Sequence, residues 1–168
     1  TTLQHWLVDD RCRLVLVMGM GGIGKTTLTT RVAMQAAEQF EFVIWRSLLN
    51  APPLPEILYT WLHFLAGQEP VRLPEKLDSQ LALLFDYLRQ HRCLLVLDNA
   101  ESIMQAADDL DAHAGLYRLG YEAYGQLFKR IGESQHQSCL LLTSREAPQD
   151  VARLERIMPL VRMLPLAG

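Results

Sequence analysis

The sequence predicts an α/β fold organised on a parallel sheet, and two observations carry that reading. Five short apolar runs, at residues 14–18, 42–48, 93–97, 139–143 and 160–164, punctuate the chain, and most are too apolar to leave one face in water. The intervals between them are long and largely helical in spacing, which strands running the same way require because no tight hairpin can join them.

The first run, LVLVM, leads into a glycine cluster and then into Leu28, Val32, Ala36 and Phe40, spaced as one face of a helix that starts near Lys25. After the second run, Leu54, Ile57, Leu58, Trp61, Leu62 and Leu65 form an apolar stripe, and Leu77, Leu81, Leu84, Phe85 and Leu88 form another. Two helices joined by a proline-containing loop fit these stripes. The third run, CLLVL, ends at Asp98. The stretch from Gln105 to Gly115 is polar, acidic and weakly periodic, a loop or a ragged helix. Beyond it, Tyr117, Tyr121, Tyr124, Phe128 and Ile131 return to helical spacing, with Gly120 and Gly125 as weak points. Such a stripe reads as core rather than as a ligand platform. The fourth run, CLLLT, is followed by Ser144 and Arg145, and the fifth completes the set.

Bulk properties narrow the function. A length of 168 residues predicts one core, and 49% hydrophobic with 21% charged residues excludes wholesale disorder. Sixteen Lys and Arg face nineteen Asp and Glu, for a net charge of -3, and the densest basic spots are Arg11/Arg13 and Lys129/Arg130, which argues against duplex nucleic acid as a partner. Cys12, Cys93 and Cys139 are an odd number without metal-ligand spacing, and two lie in apolar runs, so they read as buried reduced thiols of a cytoplasmic protein. No apolar run approaches the roughly 18 residues a membrane span needs. The chain opens on Thr1 and closes on LPLAG after an apolar run. The expectation is a single nucleotide-binding core over 1–168, a fragment of a larger multidomain protein.

The glycine cluster carries the chemistry. Gly19-Met20-Gly21-Gly22-Ile23-Gly24-Lys25-Thr26 fits G-x-x-x-x-G-K-[ST], the P-loop pattern. Backbone N–H groups can curl around a polyphosphate only where side chains stay clear and unusual φ angles are allowed, which glycine permits. The loop also runs into a helix whose first N–H groups lack intrahelical partners and whose dipole favours an anion. Lys25 would set an ammonium against the β- and γ-phosphates, the Thr26 hydroxyl would ligate Mg²⁺, and Thr27 would reach the α-phosphate. A chance match arises in only about one chain in a couple of hundred of this length. The apolar strand before and amphipathic helix after lower that chance further.

A P-loop needs an acid on a second strand for the metal, and Asp98 at the end of LLVL is the Walker B candidate; the alternative is a helix cap. The next residue, Asn99, cannot accept a proton, which leaves Glu101 as the nearest carboxylate. If a helix starts just after Asp98, Glu101 lies in its first turn, either facing the γ-phosphate or capping backbone N–H groups. Arg145 would open on the P-loop edge and neutralise the γ-phosphate, with Thr143 and Ser144 holding water or phosphate oxygens, unless it is a surface arginine starting a loop. Lys25, Asp98, Glu101 and Arg145 are therefore the candidate catalytic set.

In this order the segments GMGGIGKTTL, FEFVIWRSL, CLLVLDNAES, CLLLTSRE and VRMLPLAG resemble the signal-transduction ATPases with numerous domains, the STAND class of P-loop NTPases that includes NB-ARC and NACHT proteins. The likeness runs from about Arg13 to the end and is strongest to bacterial NB-ARC-like domains. It implies a three-layer sandwich with a five-stranded parallel sheet of order 5-1-4-3-2. It also implies an ATP/ADP switch with Mg²⁺, slow hydrolysis, and helical or winged-helix lid, repeat and effector domains on the same polypeptide, with nucleotide-dependent homo-oligomerisation. Two features depart from the family: Asn99 stands where a second acid is frequent, which argues against fast hydrolysis, and the upstream Gly-Arg element is missing.

Two rival readings come from other classes. A P-loop kinase for a small molecule needs a mobile arginine-bearing lid, and residues 100–115 contain no arginine. A degenerate scaffold would keep the cradle for structure alone. No Asn-Lys-x-Asp element of the GTPase kind occurs, which favours adenine, and Leu3, His5 and Trp6 are candidates to pack near the base.

Overall fold

A computed structural model describes residues 1–106 and 115–167. Its strands are β1 (Leu14–Met18), β2 (Phe42–Ser47), β3 (Cys93–Asp98), β4 (Cys139–Ser144) and β5 (Val161–Pro165). They form one sheet in the order β2-β3-β4-β1-β5, with every pairing parallel. Read from the other edge this is 5-1-4-3-2, the order the resemblance implied. The helices are α1 (Thr2–Val8), α2 (Lys25–Ala36), α3 (Leu54–Ala66), α4 (Leu77–Gln90), α5 (Ala123–Glu133) and α6 (Gln149–Ile157).

The central strands explain why the sequence runs were apolar throughout. Leu14, Leu16, Leu95, Leu97, Leu140 and Leu142 point to the face covered by α3, α4, α5 and α6. Val15, Val17, Leu94, Val96 and Leu141 point to the other, where Leu3 and Leu7 of α1 and Val32, Ala33 and Ala36 of α2 meet them. Alternate side chains of one strand thus enter two separate cores, and each must be apolar. The edge strands bury less: β2 leaves Trp45 partly exposed, and β5 is half-buried beyond Val161.

Several expectations are corrected. The second strand ends at Ser47 rather than residue 48, and the fifth starts one residue later than its apolar run. The stripe from Tyr117 to Ile131 is helical only from Ala123, because Gly120 adopts φ +90° and Tyr117 sits in an isolated bridge with Met104. Its rings are core, as read, and their hydroxyls find partners: Tyr121 Oη donates to Ala51 O at 2.6 Å and Tyr124 Oη to Pro52 O at 2.7 Å. Helices α1 and α6 have no counterpart among the apolar stripes read from sequence; at seven and nine residues they are too short to show a period clearly. The stretch read as a loop or ragged helix falls largely on residues 107–114, outside the described residues.

All three cysteines are buried and unpaired, and burial pushes the Cys12 and Cys93 thiols up to about 11. Among the described residues no helix is long and apolar enough to cross a membrane.

His136 gives the fold a pH dependence. Its Nε2–H donates to Ile131 O at 2.9 Å while Nδ1 accepts from the Ser138 N–H at 3.0 Å, so both ring nitrogens are used by the neutral form. Burial lowers its pKa below the ordinary 6.5. The unfolded chain therefore takes up a proton that the folded chain refuses. The stability this site contributes is present above pH 6.5 and is lost as pH falls through the lowered folded value. Urea midpoints between neutral and mildly acidic pH should fall for the wild type and fall less steeply for His136→Gln; parallel slopes would remove His136 as the cause.

Candidate functional site

The loop after β1 takes the shape its glycines permit. Gly22 and Gly24 adopt φ +82° and +96°, left-handed values that cost other residues strain. Gly24 is the residue before α2, so the loop passes directly into the helix, and Leu28 N–H makes the i→i−4 bond back to Gly24 O at 2.9 Å. The first N–H groups of α2 therefore lack an intrahelical acceptor, whereas in the loop the Ile23 N–H is taken by Met20 O at 3.3 Å. Lys25 Nζ donates to Gly19 O at 2.6 Å and Met20 O at 2.9 Å, which folds the ammonium over the loop at 7% exposure. Gly21, Gly22, Gly24, Lys25, Thr26, Thr27, Asn99 and Glu101 line a hollow of about 310 Å³.

Asp98, at the end of β3, stands behind Thr26, which lines the hollow. The carboxylate is 5% exposed, and its oxygens accept from Thr26 Oγ1 at 3.1 and 3.0 Å, from Asn99 Nδ2 at 3.2 Å and from the Thr143 hydroxyl. A hydroxyl and a carboxylate this close suit Mg²⁺, which takes one or two carboxylates and completes its octahedron with phosphate oxygens and water. Among the described residues no cluster of three His, Cys, Asp or Glu could form an all-protein cage. The residues present fit a metal that arrives with a polyphosphate.

The turn after Asp98 decides where Glu101 goes. Asn99 is left-handed at φ 65°, ψ 51°, a conformation asparagine tolerates, and starts a 3-10 turn over Ala100–Ile103 rather than an α-helix. Glu101 Oε2 is buried without a hydrogen-bond partner among the described residues. The Asn99 N–H, which a capping carboxylate would take, goes to Thr143 Oγ1 at 2.9 Å.

Arg145 follows β4 and lies across the loop: a Cβ built on Gly21 would stand 2.5 Å from its Nη2. With Glu101, Gln105, Ala106 and Glu146 it lines an adjoining cavity of about 420 Å³. Glu101 is the wall the two share. The structure thus brings the candidates from Gly19 to Thr27, Asp98, Glu101 and Arg145 to one edge of the sheet.

One expectation fails. Thr143 and Ser144 are fully buried, and the Thr143 hydroxyl is committed to Asp98 and Asn99, so it positions the acid instead of meeting phosphate. A lone hydroxyl inside an all-apolar central strand was the available signal, because a buried hydroxyl needs a partner. His5 bonds Asp9 at 2.7 Å, Trp6 lies under Arg162 at 5.5 Å and Leu3 is buried in the α1–α2 core; none of the three lines the phosphate hollow, which does not test whether they pack near a base.

The NB-ARC domain family profile matches residues 1–108 of the 168. The chain belongs to the NB-ARC family. This domain is a STAND-class P-loop NTPase domain, as its sequence resemblance implied. It is 46% identical over 175 aligned residues to an uncharacterized WD repeat-containing protein of Nostoc sp., covering 99% of this chain but 14% of that protein. It is also 36% identical over 94 residues to the regulatory protein AfsR of Streptomyces griseus, where it covers 10% of that protein. Among solved structures, Cdc6p of Pyrobaculum aerophilum superposes with a TM-score of 0.66 at 16% identity, covering 99% of this chain and 44% of that one. That likeness shows a shared fold alone.

The Thr143 arrangement has a measurable cost when broken. Thr143→Val strips a buried partner from both Asp98 and the Asn99 N–H, which should lower unfolding free energy by about 1–3 kcal/mol, while Thr143→Ser should keep most of it. Urea denaturation reads both, and a valine variant as stable as wild type would mean that the hydroxyl holds nothing in place.

Proposed function

We propose that this NB-ARC domain binds ATP and ADP with Mg²⁺ and works as the slowly hydrolysing regulatory switch of a cytoplasmic multidomain signal-transduction ATPase. Its nucleotide state would control homo-oligomerisation and effector activation, with lid, repeat and effector domains on the same polypeptide. The Nostoc relative, whose WD repeats lie on a much longer chain, supports the repeat partner. The observation that carries the nucleotide reading is the Gly22–Gly24 cradle with Lys25 folded over it and Thr26 bonded to Asp98 beside it.

The chain's own groups divide the work. The loop amides and the α2 terminus receive β- and γ-phosphate oxygens, and Lys25 turns from the Gly19 and Met20 carbonyls toward them. Thr27 stands beside this path to meet the α-phosphate. Thr26 and Asp98 would hold the metal, which when bound would offset charge developing on the phosphoryl oxygens. Glu101, with a buried and unpartnered oxygen at the shared wall, accepts a proton from water facing the γ-phosphate. Arg145 reaches over Gly21 to neutralise the same phosphoryl group. With a single carboxylate offset by a 3-10 turn from Asp98, hydrolysis is slow.

Calorimetry with Mg²⁺ and ATP or ADP tests the binding. Lys25→Ala should bind about 100-fold more weakly, the loss expected for a charged hydrogen bond of about 3 kcal/mol. Glu101→Gln should bind normally and lose about 100-fold in hydrolysis rate. Affinity unchanged in Lys25→Ala would refute nucleotide binding in this cradle, and an undiminished rate in Glu101→Gln would remove Glu101 as the base.

A further inference from the structure

The pattern G-x-x-x-x-G-K-[ST] leaves residues 20–23 open, and this chain fills two of those places with glycine. Gly22 has a backbone reason, its φ of +82°. Gly21 does not, because it is not among the left-handed residues of the loop. Its reason lies in a neighbour. A Cβ built on Gly21 would stand 2.5 Å from Arg145 Nη2, 3.4 Å from Cζ and 3.4 Å from Nε, and these are its three nearest atoms. The same construction on Gly22 or Gly24 meets nothing within 4 Å. The space left by the missing side chain at 21 is therefore taken by one guanidinium, delivered from the end of β4. A flat guanidinium can lie against a bare peptide unit in a way it cannot against one that carries a side chain.

Arg145 also has somewhere else to go. It lines the adjoining cavity of about 420 Å³, whose wall carries the Glu101 and Glu146 side chains. The arginine thus stands between two places, the outer surface of the phosphate loop and a hollow with carboxylates in its wall. What sits at residue 21 decides between them.

We propose that Gly21 is a positioning residue: by lacking a side chain it keeps Arg145 over the cradle, and so raises affinity for a nucleoside triphosphate relative to the diphosphate. The proposal rests on the reading that the cradle binds nucleotide and that Arg145 meets the γ-phosphate. Telling the two nucleotides apart needs a group that touches the terminal phosphoryl group alone. The loop amides and Lys25 serve the β-phosphate as well, so they hold both nucleotides. Arg145 enters from outside the loop, and its reach across the loop is set at Gly21. A methyl group there takes the place of Nη2, and the side chain withdraws into the cavity, where carboxylates compete for its charge.

Calorimetry with Mg²⁺ and ATP or ADP on four forms of the 168-residue chain tests this: wild type, Gly21→Ala, Arg145→Ala and the double variant. Gly21→Ala should weaken ATP binding about tenfold, as for the loss of one charged hydrogen bond, and leave ADP binding within about twofold. The unchanged ADP affinity reports that the loop itself is intact. Arg145→Ala should show the same split. Because Gly21 acts through Arg145, the two losses should not add, and the double variant should match Arg145→Ala alone. On an Arg145→Lys background, whose slimmer head clears the methyl, Gly21→Ala should change little. Wild-type ATP affinity in Gly21→Ala, equal losses for ATP and ADP, or losses that add in the double variant would overturn the proposal while nucleotide binding stands. A wild-type ratio of ATP to ADP affinity in Arg145→Ala would instead take Arg145 away from the γ-phosphate, and the role of Gly21 with it. Undiminished binding in Lys25→Ala would put the failure in the cradle reading itself.

Discussion

A carboxylate buried at the end of a central strand must have its oxygens occupied, and meeting that demand at Asp98 organises this domain. The donors come from far along the chain: Thr26 lies 72 residues away and Thr143 lies 45. Their bonds fix the start of α2 against the ends of β3 and β4. The parallel sheet makes this possible, since it delivers every strand's carboxyl end to the same edge. Without that shared edge, no pair of loops from β1 and β3 could face each other across a hollow of about 310 Å³.

The hollow is incompletely satisfied in a directional way. Its glycine backbone offers donors, the α2 terminus adds a positive dipole end, and Lys25 adds a charge, so one wall asks for an anion. The opposite wall carries the Glu101 oxygen that accepts from no donor. A polyanion with water at its far end complements both walls, whereas a neutral ligand would leave the first unmet. The larger hollow along the outer face of α2, about 540 Å³ between Thr26 and Gln35, has no such polarity.

The legible parts of the sequence were those with one dominant local cause. LVLVM and CLLLT read as central strands because both faces are buried, and the parallel order followed from long crossovers combined with the family resemblance. The cradle was legible because glycine, lysine and threonine at fixed spacing have few other uses. What stayed hidden depends on distant partners. Nothing near Thr143 says that its hydroxyl reaches β3, and nothing near Trp6 says that it lies beneath Arg162. Tyr117 kept helical spacing with Tyr121 and yet left the helix, since Gly120 turns the chain and Asp150, 33 residues on, takes its hydroxyl at 2.7 Å. Periodicity records which residues are apolar, and a tyrosine buried through a distant acid counts the same as one on a helix face.

Asn99 shows how one residue links these levels. Its left-handed backbone directs the N–H to Thr143, and its side-chain amide donates to Asp98 Oδ2 at 3.2 Å. An aspartate or glutamate at that position would instead bring a second carboxylate toward Asp98, replacing attraction with repulsion in a site of low solvent exposure. The local geometry therefore suits a donor at 99, and a group that handles water has to stand elsewhere. The 3-10 turn supplies that displacement by carrying Glu101 to the boundary between the two cavities. Under the proposed reading, slow turnover and a tightly held metal acid are two consequences of the same asparagine.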